Sequence, residues 1–167
     1  RLLAAVAGSG HAELDARFVE ALRGVLRHAE LDAAFKELVL TLPSEAYVAE
    51  QLDLVDPQRI HAAREGMRLQ LAHALHEDWA WAYEQHHALG GYSPDPVSTG
   101  RRALANLALG MLVLDGSVRH NPVWSNVALQ RFQDANNMTD RLGALSALVN
   151  AHAELTEESE REMVSVL

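Results

Sequence analysis

The stretch DPQRIHAAREGMRLQLAHALHEDWAWAYEQHHAL, residues 56–89, contains the longest helical pattern of the chain. Asp56 can cap the free N–H groups of a helix, and Pro57 suits its first position, where a missing donor costs nothing. Apolar residues then recur at the three- and four-residue steps of one helix face: Ile60, Ala63, Met67, Leu71, Leu75, Trp79 and Ala82. Because Gly66 is its only glycine, the stretch predicts one helix of about 45 Å at 1.5 Å per residue.

Helical patterns also fill the sequence on both sides of this stretch. Before it we predict the tail of a helix through Ala7 and a helix over 13–27. Two further helices should follow, one over 33–40 after the start signal Asp32 and one from 45 through Gln51 or Leu52 after the start signal Ser44. After the Gly90–Pro96 break we predict further helices over 100–114 with Ser98 as its cap, over 121–135, from Asn137 or Thr139 onward, and from Thr156 onward.

The predicted inward faces of the later helices follow the same spacing. In the helix over 100–114 the apolar residues carry few charges between them, so neighbouring helices should nearly enclose it. The inward residues expected in the next two helices are Val123, Val127 and Phe132, and then Leu142, Leu145, Leu148 and Val149.

Eight or nine helices with short links and no strand pattern predict an all-α fold. Helices joined by short links pack as antiparallel pairs. Such pairs can stack into an α-solenoid of the ARM/HEAT type or close into a compact bundle. No clean repeat appears at the periods of about 34 to 47 residues that named helical repeats show, so periodicity leaves both arrangements open.

Composition excludes several classes of protein. The formal net charge is −9, which disfavours nucleic acid as a partner because phosphate binding needs a basic patch. No apolar run approaches the roughly 18 residues of a membrane span. The absence of cysteine suits a reducing cytoplasm, where we expect the protein. The chain starts at Arg1 without Met and stops in the apolar run 163–167, so we expect a piece excised from a longer protein.

The histidines of the long helix are candidate metal ligands. His73, His76 and Glu77 lie within about one turn, and His76-Glu77 begins like the zinc-protease motif H-E-x-x-H. The position of the second histidine is Ala80, so the motif is incomplete. We therefore expect a solvated helix face here and no metal.

The end of the long helix carries a second histidine pair and an aromatic cluster. His86 and His87 suit a helix C-terminus, where positive charge is favoured, better than they suit a ligand pair. Trp79 lies on the apolar stripe, whereas Trp81 and Tyr83 flank it. We expect these aromatic residues to pack in the core or against a neighbouring part of the protein.

No other group of residues in the sequence has the pattern of a catalytic or ligand-binding site. There is no G-x-S-x-G motif, no cysteine and no glycine-rich phosphate loop. Arg101-Arg102 is too small for a nucleic-acid patch, and the acidic residues of 157–162 suit a solvated helix start. We accordingly predict no catalytic, cofactor-binding or metal-binding residue in this chain.

Three motifs, in matching order and spacing, resemble the helical C-terminal part of bacterial alanyl aminopeptidases, the aminopeptidase N group of M1 zinc peptidases. They are Thr41-Leu42-Pro43-Ser44-Glu45 running into 52–57, Arg102-Ala103-Leu104-Ala105-Asn106, and Ala135-Asn136-Asn137-Met138-Thr139-Asp140 running into 142–148. The likeness covers about residues 18–155, and the Asn-Asn-Met-Thr-Asp run is its most specific part.

This resemblance implies a parent protein several times longer. Its catalytic domain would carry the zinc site H-E-x-x-H and a Gly-Ala-Met-Glu-Asn loop for the substrate amine, and neither occurs here. Residues 1–167 would then be part of one helical C-terminal domain, truncated at both ends, with the catalytic domain absent and zinc expected there. The implied partners are the catalytic and N-terminal domains of the same chain, and peptide substrates in the full enzyme.

Two functions therefore stand as expectations. The first is a non-catalytic segment of a zinc aminopeptidase that forms part of the wall around the active-site chamber. The alternative is a free-standing α-solenoid that binds a protein or peptide in its groove. A metal enzyme built on His73, His76 and Glu77 is the third and weakest hypothesis.

Overall fold

The computed structural model describes residues 2–8, 13–87 and 90–151. Within these ranges the chain forms nine α-helices and no strand, so the all-α prediction is confirmed. The helices are α1 (Leu2–Ala7), α2 (Ala16–Arg27), α3 (Ala33–Leu40), α4 (Glu45–Glu50), α5 (Pro57–Ala74), α6 (His76–His86), α7 (Pro96–Val118), α8 (Val123–Asp134) and α9 (Met138–Asn150). The helix expected after Thr156 and the apolar run 163–167 lie outside the described residues.

Side-chain caps start most of these helices where the sequence indicates. Asp32 accepts the backbone N–H of Phe35 at 2.8 Å, and Asp56 accepts that of Arg59 at 3.1 Å. Asn137, and not Thr139, caps α9. Each cap satisfies a donor that the first turn leaves unpaired, which stabilises the helix by about 1 kcal/mol.

The prediction of one long helix over 56–89 is wrong at Leu75. This residue adopts φ −114° and ψ 22°, so α5 ends at Ala74 and α6 begins at His76. Across the break the Trp79 indole donates to the carbonyl of Leu71 at 3.2 Å. Leu75 is itself fully buried. No glycine or proline occurs near this break, so neither residue type accounts for it.

Helix α7 is longer at both ends than the predicted span 100–114. Asp95 replaces Ser98 as its cap and accepts the backbone N–H of Ser98 at 2.9 Å. At the other end Asn121 N–H donates to the carbonyl of Gly116 at 2.8 Å, and His120 adopts φ 53°. A left-handed residue after the last turn is the usual way for a helix to stop, although histidine occupies a position that glycine favours.

Helix α7 is the centre of the fold. It packs against α3, α5, α6, α8 and α9, and four of its residues are fully buried: Leu104, Ala108, Leu109 and Leu112. The prediction that neighbouring helices nearly enclose it is confirmed. The links between successive helices are short, as antiparallel pairs require.

The predicted inward faces of α8 and α9 are partly wrong. Val123, Leu142 and Val149 are exposed, with 56%, 56% and 48% of their surface accessible. In α9 Leu148 is buried as predicted, and the other buried positions are Asp140, Ala144 and Ala147. Small residues replace the expected stripe because α9 approaches α7 closely at Gly143.

Candidate functional site

A buried carboxylate marks the break between α5 and α6. Asp115 on α7 is 1% exposed. Its Oδ1 lies 3.1 Å from His73 Nδ1 and 3.0 Å from Arg119 Nε. Its Oδ2 lies 2.7 Å from His76 Nδ1, close enough for an ion pair although the pair lacks hydrogen-bond geometry. The two histidines that the sequence singled out are thus brought together, but on an aspartate from another helix.

This cluster has the chemistry of an ion-pair network. Arg119 Nη2 lies 2.5 Å from His73 Nδ1, so a guanidinium occupies the side of the carboxylate where a cation would bind. Glu77 takes no part, since it is exposed and only its backbone carbonyl receives Arg27, at 3.4 Å. Among the described residues no group of three or more His, Asp or Glu side chains could hold a metal ion. The expected solvated face is correct for His73 and wrong for His76, which is mostly covered.

A second buried carboxylate lies one turn further along α6. Asp78 Oδ2 accepts Arg23 Nε at 2.8 Å, and Oδ1 accepts Arg27 Nε at 2.7 Å. Burial raises the pKa of the Asp78 carboxyl, but the hydrogen bonds from Arg23 and Arg27 outweigh burial and hold that pKa below its usual value. The carboxylate therefore stays charged and ties α2 to α6.

Two cationic side chains lie close to the ring of Trp81. The guanidinium carbon of Arg27 lies 4.4 Å from the ring centroid, and Lys36 Nζ lies 5.9 Å from it. Lys36 is 3% exposed, and burial lowers the pKa of its amine. His86 contacts the edge of the Trp81 ring, and neither of its ring nitrogens has a hydrogen-bond partner.

The pKa of His86 is lowered from its ordinary value by burial first, and then by the positive charges of Lys36 and Arg101. His87 behaves as expected for the end of a helix, because its Nδ1 lies 2.9 Å from the carbonyl of Tyr83. Its ring also stacks on Tyr83 at 4.9 Å. The packing role predicted for Trp79 and Tyr83 is confirmed, since both are buried.

Sequence reasoning did not predict the burial of the five buried charged side chains of the described residues, which are Lys36, Asp78, Arg102, Asp115 and Asp140. Lys36 and Asp115 each interrupt a mostly apolar helical stretch, which was an available signal, whereas Asp78 directly follows His76 and Glu77. Some of their partners are distant in the sequence, as for the 55-residue separation of Arg23 and Asp78, although Arg119 lies only four residues from Asp115. No spacing rule connects the distant pairs.

A groove of about 730 Å³ lies between α5, α7 and the end of α9. Its charged lining is already paired: His61 Nδ1 lies 2.8 Å from Glu45 Oε1, and Arg64 and Arg68 both donate to Glu65, at 2.8 and 3.0 Å. The groove therefore offers a ligand space and polar atoms, whereas these charged side chains are already engaged with one another.

None of the helices in the described ranges is both long and apolar enough to cross a membrane.

The residues behind the family resemblance meet at the contact between α7 and α9. Asn106 Nδ2 donates to the carbonyl of Thr139 at 3.4 Å. Asp140 accepts Asn137 Nδ2 and Arg131 Nη2, each at 2.8 Å. Residues of two of the three motifs thus contribute to the packing of this helix pair.

Comparison with known proteins identifies the same family. The family described as "Domain of unknown function (DUF3458_C) ARM repeats" matches residues 1–164. Aminopeptidase N of Haemophilus influenzae is 34% identical over 139 residues, which are 83% of this chain and 15% of that protein. Aminopeptidase N of Caulobacter vibrioides is 33% identical over 150 residues, which are 89% of this chain and 17% of that protein.

A solved structure has the same fold. Legionella pneumophila aminopeptidase A, crystallised with aspartic acid, superposes with a TM-score of 0.74 at 21% identity and covers 98% of this chain and 20% of its own. The chain thus spans about a sixth of the curated relatives that it matches, 15% and 17% of their lengths. Because the family matches residues 1–164, the chain belongs to the DUF3458_C family of ARM-repeat domains.

Proposed function

We propose that this chain is a non-catalytic helical part of a zinc aminopeptidase, where it forms part of the wall around the active-site chamber. The observation that carries the proposal is the similarity to two proteins named aminopeptidase N, each several times longer than the matching segment. The parent reaction would remove N-terminal residues from peptides.

Catalysis is assigned to the rest of the parent protein. The sequence lacks a complete H-E-x-x-H motif, since Ala80 stands at the position of its second histidine. A zinc ion in the catalytic domain would polarise the scissile carbonyl and activate water. His73 and His76 contact Asp115, where Arg119 already supplies the positive charge.

The wall role is supported by the packing of the fold. Helix α7 is covered by five other helices, and the ion pairs of Asp78 and Asp115 tie α2, α6 and α7 together. A segment packed in this way could form one wall of a chamber. The catalytic and N-terminal domains of the same chain would be its partners.

Hydrolysis of an alanine anilide tests this function. The chain alone should be inactive, whereas a parent enzyme truncated before Arg1 should change its rate when the chain is added. Activity from the chain alone would contradict the proposal. A free-standing scaffold is the alternative, favoured by the groove of about 730 Å³, and saturable binding of a peptide there by the isolated chain would support it.

A further inference from the structure

Two positive charges near the ring of Trp81 have no counter-charge. Lys36 of α3 is 3% exposed, and its Nζ lies 5.9 Å from the centroid of the Trp81 ring. Arg101 of α7 is exposed. Within the described ranges, no ion pair or hydrogen bond engages the side chain of either residue. Both cations are therefore open to a partner that supplies negative charge.

His86 of α6 joins these two cations in one cluster. Its ring meets the edge of Trp81, with 6.3 Å between the two ring centroids. Burial, and then the positive charges of Lys36 and Arg101, lower the pKa of its imidazole, so both cations lie close enough to act on this ring. Neither nitrogen of the ring has a hydrogen-bond partner. We call Lys36, His86 and Arg101 the basic cluster.

The carboxylate on the same helix as Trp81 is already engaged by other cations. Asp78 accepts Arg23 Nε at 2.8 Å and Arg27 Nε at 2.7 Å. The guanidinium of Arg27 on the Trp81 ring is thereby compensated, whereas the amine of Lys36 is not. Buried charged side chains are almost always paired. In a chain with a net charge of −9, the lack of an acidic partner at this place indicates a partner that the described residues do not supply.

We propose that the basic cluster binds a phosphate group. The cluster is held by the packing of α3 and α6 against α7. Amine, guanidinium and imidazole nitrogens can all donate hydrogen bonds to phosphate oxygens. The two fixed positive charges match the charge of about −1.5 to −2 that a phosphate group carries at neutral pH. A carboxylate would compensate only one of them.

The members of the basic cluster differ in their access to solvent. Arg101 is exposed and His86 is half-buried, whereas Lys36 is almost completely covered. A phosphate group enters past Arg101 and gives Lys36 the counter-charge that its burial otherwise lacks. The inference is independent of the proposed function, because it rests only on residues of this chain.

The test measures the thermal midpoint of the chain in inorganic phosphate and in chloride of equal ionic strength. Phosphate at about 20 times its dissociation constant should raise the midpoint by about 5 °C, because a ligand that binds only the folded state stabilises it. In Lys36→Met this rise should disappear, whatever the midpoint of the variant in chloride. Arg101→Met should reduce the rise without abolishing it.

Arg141→Met is the matched control. It also removes an arginine that lies beside an aromatic ring, since the guanidinium carbon of Arg141 is 6.0 Å from the centroid of the Phe132 ring. Arg141 belongs to α9 and not to the basic cluster. Phosphate should therefore raise the midpoint of Arg141→Met as much as that of the wild type.

Equal midpoints of the wild type in phosphate and chloride, or an equal response of the wild type and Lys36→Met, would overturn the inference. Acetate tests the other kind of oxyanion: a rise as large as that in phosphate would assign the cluster to a carboxylate and overturn the inference as well. Methyl phosphate distinguishes an ester from the free ion. A rise that depends on Lys36 in either phosphate compound supports the inference, and the larger rise tells which form the site prefers.

Discussion

The side chain of Asn106 lies directly over Gly143. A Cβ atom at position 143 would be 2.5 Å from Asn106 Cγ and 2.6 Å from its Nδ2. The same amide donates to the carbonyl of Thr139 at 3.4 Å. Since α7 is the centre of the fold, this contact sets how closely α9 approaches it.

We predict that Gly143→Ala lowers the free energy of unfolding by about 1 kcal/mol, because the added methyl must displace the Asn106 amide from its contact with Thr139 while alanine gains helix propensity. Urea denaturation measures this change. Gly24→Ala is the matched control, since nothing lies within 4 Å of a Cβ at that helical position. It should stabilise the protein by about 0.5–1 kcal/mol through helix propensity alone.

A double variant distinguishes the steric overlap between Asn106 and position 143 from a general intolerance of α9 to substitution. Asn106→Ala removes the side chain that blocks position 143, so Gly143→Ala should cost less in that background than in the wild type. A coupling free energy of about 1 kcal/mol or more is expected from residues in contact. Strict additivity of the two substitutions would show that the overlap does not govern the packing.

Much of this fold was accessible from the sequence because its signals are local. Asp32, Asp56 and Asn137 cap the helices that they precede, and apolar spacing located most of the core. The break at Leu75 was not accessible, since this residue continues the apolar stripe. Across the break the Trp79 indole donates to the Leu71 carbonyl, a contact between residues eight apart that no local signal indicates.

The charged clusters were less accessible, because their members are brought together by tertiary packing. The separation of His73 from Asp115 is 42 residues, and nothing in either local sequence indicates the other. The sequence did place His73 and His76 on neighbouring turns. Their shared partner could be found only from the packing of α7 against α5 and α6.

Lys36 should be a destabilising residue. It is the only lysine of the sequence, it is 3% exposed, and an aromatic ring is its nearest compensation. We predict that Lys36→Met raises the free energy of unfolding by about 1 kcal/mol, because methionine retains the packing and removes the buried charge. Arg101→Met, a change at an exposed position, should stay within about 0.5 kcal/mol.

The effect of Lys36 should also depend on pH. Burial lowers the pKa of its amine in the folded state, so the unfolded chain binds more protons between the folded value and 10.5. Stability therefore rises with pH across that window. The advantage of Lys36→Met, followed by urea denaturation, should shrink as the pH rises. An advantage that is unchanged or larger at alkaline pH would contradict this account.

His86 should make the protein sensitive to mild acid. Burial, aided by Lys36 and Arg101, holds its pKa below the ordinary value of 6.5. The unfolded chain then binds the proton more readily, so stability is fully present above 6.5 and falls as the pH drops towards the folded value. His86→Phe, which keeps a ring against Trp81, should flatten the fall in thermal midpoint below about pH 6.5. A curve that retains the wild-type slope would assign the acid sensitivity to other groups.

The Asp115 network should respond differently to the loss of each partner. Arg119→Met leaves the carboxylate of Asp115 buried with only the two histidines beside it, whereas Asp115→Asn removes the buried charge itself. We predict that Arg119→Met lowers the free energy of unfolding by about 2–3 kcal/mol and that Asp115→Asn lowers it by about 1 kcal/mol. A buried charge that has lost its partner is less favourable than a neutral side chain at the same position.

Urea denaturation of the two variants and of their combination checks this order. In the double variant the loss should be smaller than the sum, since the apolar side chain at position 119 would then face a neutral amide. A loss in the double variant equal to the sum of the two single losses would contradict this account, because it would mean that Arg119 does not act on the Asp115 carboxylate.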